Sequence, residues 1–331
     1  MKSSKKLLVF SALLAASLSL LAQDNWKNST LSFDERANDL LSKLTLEEKT
    51  ELMRFDSPGI ERLGIKAYNW WNECLHGVAR AGQATVFPQA IGMAAMWDAP
   101  QMFTISNAIS DEARAKYNEF QRQGKYGMYQ GLTYWTPNIN IFRDPRWGRG
   151  METYGEDPYL TAEMAIPFIK GLQGNDPRYL KLVATVKHFA VHSGPESTRH
   201  SATVWPTDYD LQETYLPHFE RTIKEGGAYS VMCAYQRLRG IPCCGSQFLE
   251  NILRNNWDFQ GYIVSDCGAI QDFYEKKAHN MVATPEESSA MAVKAGTDLN
   301  CGSVYARSLL NAVKKGLLTG SEIDRSVKRL I

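Results

Sequence analysis

An aspartate directly follows a short apolar segment in the last third of the chain. Residues 261–265 read Gly-Tyr-Ile-Val-Ser, a run typical of a buried strand, and Asp266 comes next. Such an aspartate has an ordinary structural explanation, because Asp is a favourable cap for a following helix. It also has a chemical one, since an ionised carboxylate can attack an electrophilic carbon and form a covalent intermediate.

Other apolar segments end in polar side chains in the same way. If these segments are parallel strands of one barrel, their carboxyl ends meet at one face and the side chains converge on a single pocket around Asp266. A pocket rich in hydrogen-bond donors around a carboxylate suits a polyhydroxylated ligand. The side chains concerned are Glu73, Lys187, His188 and Tyr235, with Asp298 on a further strand.

A second unusual segment is the polar stretch FRDPRWGRGMETYGEDP at residues 142–158, which predicts a loop. Its three arginines and its acidic residues could form surface ion pairs, which contribute little to stability. We favour an ordered loop over the barrel mouth with one arginine turned toward the ligand, because loops at that face usually carry function.

The elements that would position these residues alternate between strand and helix. Such alternation predicts a parallel sheet, and its length favours an α/β fold of the (β/α)8 TIM-barrel type, with outer helices, over a dinucleotide-binding fold. The predicted strands lie at residues 66–71, 132–141, 182–189, 228–234, 261–265 and 296–299. The predicted helices include residues 102–117, 160–173, 211–225, 285–295 and 305–315.

The composition argues against several classes of function. The 331 residues include 37 basic and 36 acidic side chains, for a formal net charge of +1. Nucleic acids and anionic membranes attract strongly basic surfaces, so neither is an expected partner. No pair of the six cysteines has CxxC spacing, and we expect no metal and no cofactor.

The N-terminus has the pattern of an export signal at residues 1–22. Three lysines among the first six residues precede an apolar run at residues 7–21, which is shorter than the ~20 residues of a membrane span. We therefore expect a secreted or periplasmic protein. Residues 23–32 would form an arm, and residues 33–331 one barrel domain that opens with a helix at Phe33.

These motifs together resemble glycoside hydrolase family 3, and specifically its β-xylosidase-like branch. They run in family order over most of the chain, and the set is far more specific than any one of its members. The motifs are TLEEK at 45–49, WWNECLHG at 70–77, FPQA at 87–90, RDPRWGR at 143–149, ETYGEDP at 152–158, KHF at 187–189, MCAY at 232–235, SD at 265–266 and GTDL at 296–299.

The resemblance implies a retaining, exo-acting β-glycosidase that removes terminal non-reducing sugars from xylo-oligosaccharides. Asp266 matches the nucleophile of the family. A glucosidase of the same family and a non-catalytic carbohydrate-binding protein are the alternatives. The resemblance places the following residues around the sugar: Trp71, Glu73, Arg149, Lys187, His188, Arg199, Met232 and Tyr235.

Two details of the resemblance concern residues beside this pocket. Glu73 stands where glucose-specific members have an Asp, and the longer side chain would occupy the space of a hydroxymethyl group, which implies a pentose. Cys267 and Cys301 resemble a pair that is bridged in xylosidases; two buried free thiols are the alternative.

The resemblance also implies a second α/β domain, which supplies the general acid/base glutamate in most members. Residues 327–331 resemble part of the last barrel helix, so we expect this sequence to be a fragment. His200 is an alternative acid/base, because one branch of the family carries an Asp-His pair here. That branch has Asp two positions before the His, whereas this chain has Thr198.

Overall fold

The computed structural model describes residues 24–331, which form two compact units. The predicted signal peptide at residues 1–22 lies outside the described residues. The first unit comprises the described residues up to Thr45, with a 3-10 turn at Asn25–Lys27 and helix α1 at Phe33–Lys43.

Helix α1 begins where the sequence predicts it. Ser32 and Glu35 form a capping box: Glu35 N donates to Ser32 Oγ at 3.2 Å, and Ser32 N donates to Glu35 Oε2 at 2.9 Å. The reciprocal bonds satisfy backbone donors that an α-helix leaves unpaired at its start.

The second unit, Leu46–Leu330, is built on a parallel sheet. Four strands lie side by side in chain order, and every neighbouring pair is parallel. They coincide with four of the predicted strands and confirm the α/β class. Their bounds are β3 Thr133–Tyr134, β4 Val183–Phe189, β6 Ser230–Cys233 and β9 Tyr262–Ser265.

Strand β3 covers only two of the ten residues predicted at 132–141, and the other two predicted strands are also shorter than expected. Strand β2 covers only Tyr68–Asn69 and pairs antiparallel with β1, Asp56–Ser57, which departs from an all-parallel barrel. Leu299 forms an isolated parallel bridge with Val264 of β9. The parallel ladders within residues 24–331 therefore do not by themselves make up an eight-stranded barrel.

Helices follow the strands, and their bounds lie close to the predicted ones. They are α2 Leu46–Leu52, α3 Ala90–Ala94, α4 Ala99–Arg122, α5 Pro158–Gln173, α6 Asp208–Asp210, α7 Pro217–Lys224, α8 Pro285–Lys294, α9 Val304–Lys314 and α10 Gly320–Leu330. Two π-helical segments occupy Leu211–Tyr215 and Leu249–Asn256. A separate small sheet joins β5 Thr203–Val204, β7 Arg237–Leu238 and β8 Ile241–Pro242.

Helices α4 and α5 pack closely because of one glycine. A Cβ on Gly171 would lie 2.0 Å from Ser106 Oγ, so no other residue fits at that crossing. Ser110 Oγ donates to Gly171 O at 2.9 Å across the same contact.

Two disulfides tie strand ends to neighbouring segments. Cys233 at the end of β6 is bonded to Cys244, and Cys267 is bonded to Cys301. The first bridge was not expected from the sequence. Among the described residues, Cys74 and Cys243 are free and buried.

Candidate active site

Strand β9 delivers Asp266 to the carboxyl end of the sheet. Ser265 is paired with Cys233 of β6, and Asp266 N continues the ladder by donating to Cys233 O at 3.1 Å. The residue is only 6% exposed. Its Oδ1 accepts from Cys267 N at 2.8 Å, whereas buried Oδ2 has no hydrogen-bond partner among residues 24–331.

His188, at the end of β4, lies against this free oxygen. Its Nε2 is 3.4 Å from Asp266 Oδ2, beyond ordinary hydrogen-bond length. On the other side of the ring, Nδ1 lies 2.8 Å from Asn140 Oδ1. The histidine is therefore held between an amide and the carboxylate.

Lys187 and Glu73 face each other in a cleft beside this pair. Lys187 Nζ lies 3.2 Å from Glu73 Oε2, and the lysine side chain is only 4% exposed. The cleft has a volume of about 240 Å³. It is lined by Trp71, Glu73, Leu75, His76, Gly77, Ala79, Arg80, Tyr129, Arg149, Glu152 and Lys187.

One arginine of the 142–158 loop lines this cleft. Arg149 Nε and Nη2 each donate to Glu152 at 2.7 Å, a bidentate pair that fixes the guanidinium plane. The other two arginines of the loop have different partners. Arg143 donates to the carbonyls of Val191 and Ser193, and Arg146 pairs with Asp144.

Aromatic side chains form one wall of the cleft. Trp71 stacks on buried Trp135 with a centroid distance of 5.3 Å and an interplanar angle of 26°. Tyr129 meets Trp71 edge-on at 6.3 Å. An apolar wall opposite charged hydrogen-bonding groups matches the two kinds of surface that a sugar presents.

Tyr235 and Arg199 lie on another side of Asp266. The Tyr235 hydroxyl donates to Cys267 O at 2.9 Å, and the Arg199 guanidinium lies 5.6 Å from the tyrosine ring centroid. Arg199 also forms an ion pair with Glu196.

His200 packs on Tyr235, with ring centroids 4.6 Å apart. Its Nδ1 lies 2.8 Å from Asp272 Oδ2, and its side chain is 50% exposed. Burial raises the pKa of Asp272 to about 6, against the opposing effect of His200.

Burial sets the direction in which the pKa of the central carboxylate is shifted. The cationic neighbours would be expected to hold the pKa of Asp266 low. The structure gives the opposite direction: burial raises the pKa of Asp266 and outweighs the attraction of Arg149 and Lys187. Burial likewise raises the pKa of Glu73 despite Lys187.

The Arg149–Glu152 pair behaves differently. Burial opposes ionisation of both groups, but the mutual hydrogen bonds and attraction outweigh it. The pKa of Glu152 is lowered and that of Arg149 is raised. Both groups are therefore charged at neutral pH.

Met232 and the Cys267–Cys301 bridge lie beneath the site. Met232 belongs to a buried cluster with Trp135, Tyr262, Val264, Leu299 and Cys301, against which Trp71 and Cys267 pack. Met232 is only 1% exposed, so in this structure it supports the walls of the pocket from below.

Asp298 does not join the site. Its carboxylate is 0% exposed and lies 3.4 Å from Arg254 and 3.2 Å from Arg329 of α10. Its Oδ2 also accepts from Ile263 N at 3.0 Å. Asp298 therefore anchors the last helix to β9, and the expected convergence of strand ends does not include it.

Several residues that the sequence did not single out contact the site. Asn140 and Glu152 bind His188 and Arg149, while His192 lies with its ring 5.0 Å from that of His188. Asn140 lies at the end of the predicted strand 132–141, so the strand-end rule could have found it. Nothing in the loop motif distinguishes Glu152 from Glu156.

Neither a metal cluster nor a membrane helix is found within residues 24–331. No group of three or more His, Cys, Asp or Glu side chains there could hold a metal ion. No helix of that part of the chain is long and apolar enough to cross a bilayer.

Known proteins match this sequence closely over part of their length. A xylan 1,4-β-xylosidase from Xylanibacter ruminicola is 51% identical over 312 residues, 92% of this chain and 36% of that protein. Probable β-D-xylosidase 7 of Arabidopsis thaliana is 41% identical over 321 residues, 91% of this chain and 41% of that protein. The chain thus spans about two-fifths of the length of these relatives.

Solved structures match the fold to a similar extent. A GH3 exo-β-xylosidase in complex with a xylobiose aziridine activity-based probe has a TM-score of 0.86 at 34% identity, over 94% of this chain and 41% of that one. A β-glucosidase from Erythrobacter marinus has a TM-score of 0.81 at 27% identity, over 93% and 46%. The sequence profile described as "Glycosyl hydrolase family 3 N terminal domain" matches residues 35–331. The chain belongs to glycosyl hydrolase family 3.

Proposed function

We propose that the protein of which this chain is part is a retaining, exo-acting β-xylosidase with Asp266 as its nucleophile. One observation carries the assignment: Asp266 is buried at a strand end beside Arg149, Lys187 and His188, and its Oδ2 is free of protein donors in the described part of the chain. An oxygen left free in a cationic pocket is available to a reacting carbon. A purely structural carboxylate would instead be paired, as Asp298 is.

The chemistry follows from this oxygen. Ionised Asp266 Oδ2 attacks the anomeric carbon, the bond from that carbon to the leaving-group oxygen breaks, and a covalent glycosyl ester forms. Water then cleaves the ester and regenerates the carboxylate. The surrounding cations favour the charged form of Asp266 and can hydrogen-bond the hydroxyls of the sugar.

The cleft residues and the neighbours of Asp266 supply the binding contacts in this proposal. Lys187, Arg149 and His188 would hold the ring hydroxyls, with Arg199 and Tyr235 on the side of the small sheet. Trp71 would contact the apolar face of the sugar ring. No cofactor is needed for any step.

Xylose is favoured over glucose by Glu73. Its carboxylate reaches Lys187 at 3.2 Å and lines the same cleft as Trp71, so it occupies space that a hydroxymethyl group would need. The names of the relatives support a xylo-oligosaccharide, since the structural neighbour holds a xylobiose-derived probe and the Xylanibacter protein is a xylan 1,4-β-xylosidase.

We further propose that the sheet closes into a barrel, which differs from the expected all-parallel one in the antiparallel pair β1–β2. Contacts extend from both edges of the four-stranded ladder: Asn300 forms a parallel bridge with Arg54, and Trp135 N donates to Asn72 O at 2.8 Å. Trp70 N donates to Phe55 O at 2.8 Å between these segments. Amide exchange at Phe55 and Asn300 as slow as in β6 would support closure, and fast exchange there would indicate an open edge.

Dinitrophenyl β-xyloside tests the proposed reaction, because an activated aryl group leaves without help from an acid. We expect a burst of one dinitrophenolate per chain and a weaker burst with the β-glucoside. Xylobiose binding without any burst would identify a non-catalytic carbohydrate-binding protein instead. A burst that persists in Asp266→Asn would show that another residue is the nucleophile.

Export is the proposed localisation. The lysines and apolar run of residues 1–22 support it, as do the two disulfides, which persist in oxidising compartments. N-terminal sequencing of the protein from its source should give Gln23 or a residue close to it. A mature protein that begins at Met1 would contradict the proposal.

A further inference from the structure

The side chain of Asn140 is bonded to one residue through both of its polar atoms. Its Nδ2 donates to His188 O at 2.9 Å, and its Oδ1 accepts from His188 N at 2.8 Å. Exchanging the amide oxygen and nitrogen would place donor against donor and acceptor against acceptor. The orientation of the amide is therefore fixed by the backbone of β4.

This orientation determines which nitrogen of the histidine carries the proton. The same Asn140 Oδ1 lies 2.8 Å from His188 Nδ1, and a carbonyl oxygen can only accept. His188 Nδ1 must then be the donor. In a neutral imidazole this leaves Nε2 as a bare acceptor.

The bare Nε2 faces a second acceptor. Asp266 Oδ2 lies 3.4 Å away, is buried and has no hydrogen-bond partner among the described residues. The Tyr235 hydroxyl lies close enough to lower the pKa of Asp266, but its proton is directed to Cys267 O at 2.9 Å. Two acceptors in contact inside a protein are unfavourable unless one proton lies between them.

We propose that Asn140 is a positioning residue, which holds His188 in the Nδ1-protonated tautomer and so makes Nε2 and Asp266 Oδ2 a two-acceptor slot for one proton. A proton held in the slot of the empty pocket is that of the Asp266 carboxyl group. In the complex, a hydroxyl of the sugar donates into the slot, and the Asp266 proton is released to water. The substrate part of this inference rests on the proposed function; the tautomer does not.

The surrounding charges agree with one proton in the slot. The charged and titratable groups that act on it are Arg149, Lys187, Arg199, His192, Tyr235 and Asp272, and Glu73 acts on Arg149. Burial, followed by repulsion from Arg149, lowers the pKa of His188 well below its usual range, which keeps the ring neutral. Burial raises the pKa of Asp266 at the same time.

The tautomer can be measured directly in the unmodified chain. Two-bond ¹H–¹⁵N correlation spectra of histidine-labelled protein should show His188 with a protonated Nδ1 and an unprotonated Nε2 at neutral pH, the signal being assigned by its loss in His188→Gln. A proton on Nε2, or on both nitrogens, would overturn the proposal whether or not the chain forms a glycosyl-enzyme.

Removing the amide tests its effect on Asp266. In Asn140→Ala the ring can carry its proton on Nε2 and donate to Asp266 Oδ2, which stabilises the carboxylate. In a plot of the labelling rate by an activated 2-fluoro-xyloside against pH, the rate falls on the acid side. We expect the midpoint of this fall, the acid limb, to move to lower pH by roughly one unit or more. Asn140→Ser serves if the alanine variant does not fold, and an unchanged acid limb in a folded variant contradicts the proposal.

Gln236 supplies a matched control. It holds the neighbouring His192 in the same way, since its Oε1 lies 2.9 Å from His192 Nδ1 and its Nε2 donates to Ala190 O at 2.5 Å. Gln236→Ala should alter the His192 signal and leave the His188 tautomer unchanged. If labelling fails while the predicted tautomer is found, the proposed function is wrong and the role of Asn140 stands.

Discussion

At the scale of single residues, the site combines groups that burial makes unfavourable. Asp266 Oδ2 lacks a protein donor in residues 24–331, and Glu73 is held in the cleft with a raised pKa. Such groups reduce stability unless a ligand satisfies them. Both groups lie near the same strand ends, with Arg149 and Lys187 as the nearby cations. Ion pairs on a protein surface lack this burial, so the arrangement favours a binding site.

Shortening Glu73 should relax sugar selectivity. Glu73→Asp vacates about one methylene beside Lys187, so we expect the ratio of glucoside to xyloside labelling rates to rise roughly ten-fold. The measurement compares activated fluoro-glucoside and fluoro-xyloside. Glu152→Asp is the control, because it shortens a cleft carboxylate that binds Arg149 instead, and a rise of the same size in that variant would contradict the role of Glu73.

The identity of the central residues could be predicted from the sequence, but their electrostatics could not. Asp266, Lys187, His188 and Tyr235 all end apolar segments, which the strand-end rule recognises. The pKa of Asp266 was expected to be low, and it is raised because burial outweighs the nearby cations. The degree of burial depends on packing from several elements, which no local pattern in the sequence reveals.

At the scale of elements, strand ends are fixed to each other by covalent and polar links. The Cys267–Cys301 bridge joins the residue after Asp266 to the next strand segment, and Gly268 N donates to Cys301 O at 2.8 Å. Cys267 N in turn donates to Asp266 Oδ1. The bridge should therefore hold Asp266 in place.

Removing this bridge should cost both stability and reactivity. Cys267→Ala with Cys301→Ala opens a loop of 34 residues and should lower the free energy of unfolding by about 4 kcal/mol. We also expect slower labelling of Asp266, measured on protein that is still folded by circular dichroism.

The second bridge is the comparison for that experiment. Cys233→Ala with Cys244→Ala opens a loop of only 11 residues, for which about 3 kcal/mol is expected. Equal slowing of labelling in both double variants would show that general loosening, and not the position of Cys267, is responsible.

The elements themselves were predicted unevenly. Strands β4, β6 and β9 are buried along nearly their whole length, and they lie where the sequence places them. Strand β2 was predicted over six residues and covers two, because Tyr68 and Asn69 pair antiparallel with β1. That pairing partner is a two-residue segment with no strand pattern of its own.

At the scale of the whole molecule, the site should set how stability depends on pH. The pKa of Asp266 is raised on folding, so the stabilisation from its protonated form is fully present below its unfolded pKa and is lost as the pH rises through the folded value. At neutral pH the free energy of unfolding is therefore lower than it would be with a neutral side chain at this position. In Asp266→Asn the amide can donate to His188 Nε2 without a charge.

We therefore expect Asp266→Asn to melt roughly 2–4 °C above the unmodified chain at pH 7, with the difference shrinking toward pH 4. Differential scanning calorimetry between pH 4 and pH 7 measures the melting temperatures of both proteins. A lower melting temperature for Asp266→Asn at pH 7, or a difference that grows on acidification, would contradict a raised pKa.

The nucleophilic role of Asp266 is tested most directly by locating the covalent adduct. The chain is incubated with an activated 2-fluoro-xyloside, digested, and mapped by mass spectrometry. We predict one 2-fluoroxylosyl adduct per chain on the peptide containing Asp266, and none in Asp266→Asn. An adduct on another residue, or none on folded protein, would contradict the assignment.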